Sequence, residues 1–393
     1  MQLKAENHTY QYSKKYFIKT WGCQMNVYDS LRIGEVLQSL GYEKTQDQTQ
    51  ADLIILNTCH IREKATEKVF SEIGRIRELK QRRKAIGKNL IIAISGCVAQ
   101  AEGDEIIKRA PYVDLVFGPQ TWHRLPFMLE VVEKKQKVCN TDFPLEDKFD
   151  FLPNFFDKEK ITGGSAFLAV QEGCDKFCTY CVVPYTRGAE YSRPIAKVML
   201  EAVRMVAEGT KEIILLGQNV SSYHGVDNKG KERSLSYLIE ELAKLDGLQR
   251  IRYITSHPKE IDEDLIATHR DINKLMPFLH LPIQSGSDSI LKRMNRKHTV
   301  KDYLTVIEKL KAVKPDLAIS SDFIVGFPEE TKADFKGTLD IVKKVGFIQS
   351  YSFIYSKRPG TPAASYEDSV SREEKENRLY ELQDLLNKHL EEF

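Results

Sequence analysis

Three cysteines stand close together in Cys174-Asp175-Lys176-Phe177-Cys178-Thr179-Tyr180-Cys181, a C-x-x-x-C-x-x-C pattern. Thiolates grouped in one loop are how a protein holds an iron–sulfur cluster. Three of them occupy three corners of a four-iron cluster, and the fourth iron is then open to a small molecule. Gly173 lets the backbone turn tightly before the first ligand. The competing reading is a structural zinc loop. Zinc sites of that kind are closed by four ligands, and no fourth cysteine or histidine follows nearby. The ligand count therefore favours the cluster.

Three further cysteines, Cys23, Cys59 and Cys97, are separated by 36 and 38 residues. Each lies just after a short apolar run. Strands are expected over residues 16–20, 52–56, 90–94 and 113–117, and helices over 29–40, 63–82, 100–109 and 125–135. Continuous apolar strands alternating with helices predict an α/β domain with a parallel sheet. Parallel strands put their carboxyl ends on one edge, where open α/β sheets bind ligands. The three cysteines should thus converge there as a second cluster site. Free cysteine is also often a small core residue, but a core cysteine is expected within a strand rather than just beyond its end. Cys139 falls in a charged tract and reads as incidental.

Residues 141–165 carry prolines, phenylalanines and charges without a helix or strand pattern, as a linker would. Its aromatics are expected to pack along a domain surface. The alternation then resumes, with strands expected over 167–171, 212–216, 250–255, 278–282, 318–325 and 350–355. Helices fill the gaps, among them 195–208, 235–245 and 300–313. Six β/α units predict a partial (β/α)6 barrel, incomplete relative to eight. The C-x-x-x-C-x-x-C loop follows its first strand, at the carboxyl edge where barrel active sites lie. Gln218-Asn219, Ser256-His257, Gln284-Ser285-Gly286 and Gly326-Phe327-Pro328 follow later strands. Any one of these is an ordinary turn, and their recurrence at one edge suggests a shared pocket. The domains expected are thus 1–140, a linker over 141–165, a barrel over 166–370 and a helix over 371–393. Residues 1–14 are polar and should fray.

At 393 residues, 41% of them hydrophobic, the chain has room for two or three ordinary cores. The amino terminus has no long apolar run, and no stretch is long enough to cross a bilayer. A cytoplasmic location is the expectation. Cysteines there are thiols, metal ligands or catalytic groups rather than disulfides. The net charge of +2 does not mark a nucleic-acid binder, so any such surface must come from local clusters. Two basic tracts are candidates. One holds Arg75, Arg77, Lys80, Arg82, Arg83, Lys84 and Lys88, the other Lys292, Arg293, Arg296, Lys297 and His298. Such tracts can neutralise phosphates or be solvated helix faces, and the sequence leaves both open.

Tyr180, just before the last cysteine, resembles the aromatic in the cysteine signature of radical S-adenosylmethionine (SAM) enzymes. With both triads in place, nearly the whole chain resembles the methylthiotransferase branch of that superfamily. Within it the chain is similar to the MiaB-type tRNA methylthiotransferases. The resemblance is carried by Asn57-Thr58-Cys59-His60-Ile61-Arg62-Glu63-Lys64-Ala65, Phe117-Gly118-Pro119-Gln120, Ser256-His257-Pro258, His280-Leu281-Pro282-Ile283-Gln284-Ser285-Gly286-Ser287 and Ser320-Ser321-Asp322-Phe323-Ile324-Val325-Gly326-Phe327-Pro328. The stretch after Cys59 separates MiaB-type chains from two relatives, one acting on threonylcarbamoyladenosine in tRNA and one on an aspartate of a ribosomal protein.

The resemblance implies two 4Fe-4S clusters, one on Cys23, Cys59 and Cys97, the other on Cys174, Cys178 and Cys181. It implies a SAM pocket lined by Gln218, Asn219, Gln284, Asp322 and Gly326, with no catalytic side chain beyond the cluster ligands. The implied reaction adds a methylthio group to carbon 2 of isopentenyladenosine at tRNA position 37, beside the anticodon. The implied partners are the tRNA anticodon stem-loop and an electron donor such as flavodoxin or ferredoxin. Carbon 2 carries no acidic hydrogen, so the cofactors rather than side-chain bases must do the hard chemistry. The base must leave its stack to react, which an unpaired anticodon loop eases. The family's terminal RNA-binding β-barrel, the TRAM domain, has no counterpart in the pattern after the last helix, so tRNA contact would fall to the basic tracts. Two alternatives stay open. A methylthiotransferase for either of the other two substrates would share every cluster ligand. A non-catalytic iron–sulfur carrier would not need polar groups along the edge of a barrel.

Overall fold

A computed structural model describes residues 14–59, 65–151 and 164–392. The chain divides into two compact units, Met1–Asp157 and Lys158–Phe393. The first runs β1 (Lys14–Trp21), α1 (Gln24–Ser39), β2 (Tyr42–Lys44), β3 (Leu53–Thr58), α2 (Ala65–Ala85), β4 (Ile91–Gly96), α3 (Cys97–Glu102), α4 (Asp104–Arg109), β5 (Leu115–Phe117), α5 (Leu125–Glu133) and β6 (Val138–Asn140). Its strands form one parallel sheet in the order β2-β1-β3-β4-β5-β6. The central strands β3 and β4 are buried along their whole length. Alternate residues feed two cores. Leu53, Ile55 and Ala93 face one with Trp122 and Met128, while Ile54, Leu56 and Ile92 face the other with Ile73 and Val98. That is why these strands read as unbroken apolar runs.

Several elements differ from expectation. Helix α1 starts at Gln24, with Cys23 as its N-cap residue, five residues before the expected start. The helix expected over 100–109 is two, α3 and α4, because Gly103 breaks it at φ +50°. Strand β6, three residues long, was missed: it is an edge strand in a lysine-rich stretch and gives no periodic signal. It contains Cys139, which pairs across to Val116 and packs partly against the second core. The linker aromatics do lie along this unit. Phe149 is buried with its ring 6.4 Å from that of Tyr28, and Phe151 stacks on His123 at 5.0 Å. The buried Lys148 donates to Pro119 O at 2.9 Å.

The second unit runs β7 (Ser165–Ala169), β8 (Gln171–Glu172), α6 (Val183–Arg187), β9 (Tyr191–Ser192), α7 (Ile195–Ala207), β10 (Glu212–Leu216), α8 (Leu235–Ala243), β11 (Arg250–Tyr253), α9 (Glu263–Asp271), β12 (Phe278–His280), α10 (Asp288–Arg293), α11 (Val300–Val313), β13 (Ala318–Ser320), β14 (Asp322–Val325), α12 (Lys332–Val345), β15 (Tyr351–Ile354) and α13 (Arg372–Glu392). Strands β7, β10 and β11 pair in parallel, as do β12 with β13 and β14 with β15. Parallel bridges from Ile251 to Leu275 and from Gln284 to Phe323 link these pieces. The result is the expected partial barrel, with neighbours in sequence order. Its strand over 318–325 is interrupted at Ser321, so it enters two ladders. Helices α11 and α12 open on capping boxes, Thr299 with Asp302 and Thr331 with Asp334. Among the described residues no helix is long and apolar enough to cross a membrane.

Candidate active site

The cysteine loop of the second unit is hung from the carboxyl edge by amides. Gln171, buried at the start of β8 just past the first strand, donates to Gly173 O at 2.7 Å and accepts from Gln218 N at 2.8 Å and Asn219 N at 3.0 Å. Gln218 in turn accepts from Gly173 N at 2.6 Å. The loops after two strands are thus stitched together beneath Cys174. Gly173 has φ +71°, and a Cβ there would lie 1.9 Å from Ala189 O. Only glycine fits this crossing. The stitching residue Gln171 was missed from sequence. The signal available was an amide closing an apolar run two residues before the loop glycine.

Beyond that glycine the three sulfurs feel one another. Burial, then the Cys178 charge, pushes the Cys181 thiol up to about 12. Burial is also the main force on Cys174, raised to about 11, with Cys178 again contributing. Two buried thiols that resist ionising beside a third sulfur need a cation to share, and a cluster supplies one. Among the described residues no group of His, Cys, Asp or Glu is arranged to hold a single metal ion. A cluster is wider than an ion and takes its ligands farther apart. The donor set is all thiol, and the loop is pinned between its second and third cysteines: Thr179 N donates to Met294 O at 3.0 Å and Thr179 O accepts from Ala363 N at 2.9 Å. These residues fit an iron–sulfur cluster.

Around the triad stand groups from later strands. Asn219 is buried, its Oδ1 accepts from Ser221 at 3.1 Å, and its Nδ2 has no protein partner. Gln284 sits at φ +77° with its backbone exchanging bonds with Asp322 O and Ile324 N. The carboxylate of Asp322 is 3.5 Å from His280 Nε2 and close enough to Tyr180 to raise its phenol, though burial is the main cause there. Gly326 lies under α13, where a Cβ would meet Lys375 Cγ at 2.3 Å. Its neighbour Phe327 packs in the same apolar group as Tyr180 and Met294.

The first unit assembles its own triad. Strand register pairs Trp21 with Thr58 and Thr58 with Gly96, so the residues just past these ends meet. Cys59 N donates to Trp21 O at 3.1 Å. The Cys59 thiol is driven far up by hydrogen bonds with Cys23 first and Cys97 second, then by burial. Two glycines make room. Gly22 is at φ +125° with a Cβ position 2.2 Å from Cys59 Cβ, and Gly96 is at φ +87° against Thr58 O. Asn26 and Asn57 brace the site, with Asn26 Nδ2 donating to Asn57 Oδ1 at 3.0 Å and Cys23 Sγ 3.3 Å from Asn26 Oδ1. Asn57 sits inside a quoted motif and Asn26 follows Cys23 by three residues, and their mutual bond was not legible. Residues 60–64 of the telling motif lie outside the described residues.

The basic tracts need correction. Lys80 bonds Asp114, and Arg83 is buried against Asp52, which leaves Arg75, Arg77, Arg82, Lys84 and Lys88 outward. In the second tract Arg296 and His298 are buried and Arg293 pairs with Glu329 at 2.6 Å. A helix end needs inward partners as well as outward charge, and the run of basic letters does not separate the two.

Residues 15–118 match an uncharacterized protein family, UPF0004, and residues 168–342 match the radical SAM superfamily. The second unit is a radical SAM domain. The two matches in this order are the architecture of the methylthiotransferase family, and the radical SAM match implies SAM and a 4Fe-4S cluster. Among solved structures, the chain is similar to the radical SAM methyltransferase TsrM from Kitasatospora setae, a structure with tryptophan substrate and a SAM analogue bound. The identity is 13% and the TM-score 0.64, over 90% of this chain and 75% of that one. It is also similar to the cobalamin-dependent SAM radical enzyme OxsB, at 12% identity and TM-score 0.60, over 96% of this chain and 56% of that one. At these identities the likeness is one of fold.

Proposed function

We propose that the chain is a radical SAM methylthiotransferase that adds a methylthio group to carbon 2 of isopentenyladenosine at tRNA position 37. The observation that carries this reading is the pair of cysteine triads, each gathered at the carboxyl edge of its own parallel sheet. A radical enzyme of simpler chemistry needs one. Cys174, Cys178 and Cys181 would hold the cluster that meets SAM, and Cys23, Cys59 and Cys97 a second cluster. Together these groups supply the radical and the sulfur when bound.

The chain's own residues do the rest. Gln171 and Gln218 fix the loop so that its thiols converge. Asn219, Gln284 and Asp322 offer polar groups to SAM at the barrel edge, with Gly326 nearby. The choice of isopentenyladenosine is supported by Ile61-Arg62-Glu63-Lys64-Ala65 and its likeness to MiaB-type chains. The tRNA anticodon loop would meet the protein through outward basic residues, and a flavodoxin- or ferredoxin-like donor would supply electrons in a cytoplasmic setting. The test is nucleoside analysis of tRNA from cells with and without the chain. The methylthiolated isopentenyladenosine should vanish when the chain is deleted and return with the native gene. An unchanged nucleoside profile overturns the assignment, and loss of methylthiolated threonylcarbamoyladenosine instead moves it to the relative.

A further inference from the structure

The turn after α10 grips the cysteine loop from outside. Arg293 O accepts from Thr179 Oγ1 at 3.0 Å, and Asn295 Nδ2 donates to Phe177 O at 2.9 Å. The next residue, Arg296, points inward and is 8% exposed. Its Nη2 donates to Pro282 O at 2.6 Å, and its Nη1 lies 3.8 Å from Cys178 Sγ. Its Nε has no partner, and no carboxylate among the described residues pairs with it. Its other charged or titratable neighbours are Tyr180, Cys181, His257, His298 and Tyr303, and burial together with the guanidinium holds both imidazoles neutral. A buried cation without a counter-anion is costly. The anions within reach are the thiolates of Cys178 and Cys181.

We propose that Arg296 is the counter-charge and hydrogen-bond donor to the Cys178 thiolate, and that it raises the reduction potential of the cluster on that triad. The proposal rests on the reading of Cys174, Cys178 and Cys181 as cluster ligands. Reduction adds a negative charge to the cluster, and a fixed positive charge at a ligand sulfur favours the more negative state. Hydrogen bonds to sulfur and net charge are among the quantities that set such potentials. Arg296 is a positioning residue here, since it acts through Cys178. The sequence disguises it as part of a basic surface tract.

The test is an EPR-monitored redox titration of the full chain, without SAM. Cys23, Cys59 and Cys97 are replaced by alanine so that one cluster is observed. Iron uptake by this background tests the ligand reading by itself, and a background without iron overturns both that reading and the proposal. With iron bound, Arg296→Met should lower the reduced-to-oxidised ratio about tenfold at fixed potential, a shift of about 59 mV for one electron. Arg296→Lys keeps the charge and should stay closer to the background. A native-like potential in Arg296→Met overturns the proposal. If Arg296→Met takes up no iron, Arg296→Gln is titrated in its place, and a native-like potential there overturns it equally. Iron uptake by the Lys variant but by neither neutral variant supports the counter-charge. Uptake by none of the three, with unchanged circular dichroism, overturns it in favour of a packing role.

Discussion

Single atoms decide whether the two triads can form. A methyl group on Gly173 would sit 1.9 Å from one backbone carbonyl oxygen and 2.6 Å from another, and one on Gly96 would sit 2.4 Å from Thr58 O. Backbone cannot swing aside as a side chain can, and both residues also hold positive φ, which costs an L-residue about 1–2 kcal/mol. Gly173→Ala should therefore cost the iron of its own triad, about four of a total near eight on the two-cluster reading. Gly96→Ala should cost the other four. Gly209→Ala is the control: φ is +103°, yet nothing lies within 4 Å, so iron content should hold. Iron and acid-labile sulfide assays on reconstituted protein decide this, and full iron in Gly173→Ala would show that the loop re-forms another way. A second residue-scale effect concerns pH. Burial holds the His269 imidazole down at about 4, with Tyr253 Oη 2.7 Å from its Nε2. Its ordinary value is about 6.5, so between these values the unfolded chain binds the proton and the folded one does not. Stability is full above the upper value and is lost as pH falls toward the lower one. From about pH 7.5 to about pH 5 this group should remove roughly 2 kcal/mol. Urea unfolding of His269→Gln should show a flatter pH dependence than the native chain, and identical slopes would refute the assignment.

At the scale of elements, the strands and helices with strong apolar periodicity were legible. Strand β10 and helix α11 fall on their expected bounds, because a buried strand and an amphipathic helix write their environment into the sequence. Short edge elements and tight turns do not, so β6 and the break at Ser321 were missed. The cysteines were legible by type and by position relative to strand ends. The residues that hold them were not, because Gln171, Asn57 and Arg296 act through partners 30 to 120 or so residues apart or through a single carbonyl, and no local pattern records such a bond. Helix α13 illustrates what such bonds do. Arg378 donates to Glu330 Oε2 at 2.7 Å and to Glu330 O at 2.9 Å, and the same carboxylate oxygen accepts from Gly326 N at 2.7 Å. Burial pushes the Glu330 carboxyl up, while Arg378 and the Gly326 amide pull it down. Both side chains are nearly inaccessible. Removing one member of a buried pair leaves the other uncompensated, at a cost of about 3–5 kcal/mol. Arg378→Ala should lower stability by that amount in chemical denaturation. Adding Glu330→Gln should recover part of it, and additive losses in the double variant would exclude the coupling.

At the scale of the molecule, the two triads belong to units with separate cores. Cys23, Cys59 and Cys97 cap a sheet packed by Trp122, Met128, Ile73 and Val98, while Cys174, Cys178 and Cys181 hang from a barrel edge held by Gln171 and the turn after α10. Each triad is held by hydrogen bonds within its own unit, so each should be removable without dissolving its counterpart. The proposed chemistry assigns them different roles, which makes the two removals unequal. Replacing Cys174, Cys178 and Cys181 by alanine takes away the place where SAM meets an open iron, and reductive formation of 5′-deoxyadenosine should vanish. Replacing Cys23, Cys59 and Cys97 leaves that place intact, so SAM should still be cleaved under reductant while no methylthiolated base forms. Cluster binding can be coupled to folding, so circular dichroism and residual iron near half the native value come first. With both satisfied, 5′-deoxyadenosine from the Cys174/Cys178/Cys181 variant would mean that the C-x-x-x-C-x-x-C loop is not the SAM-cleaving site. Methylthiolated base from the Cys23/Cys59/Cys97 variant would instead spare the radical chemistry and leave the first unit without its assigned part in sulfur insertion.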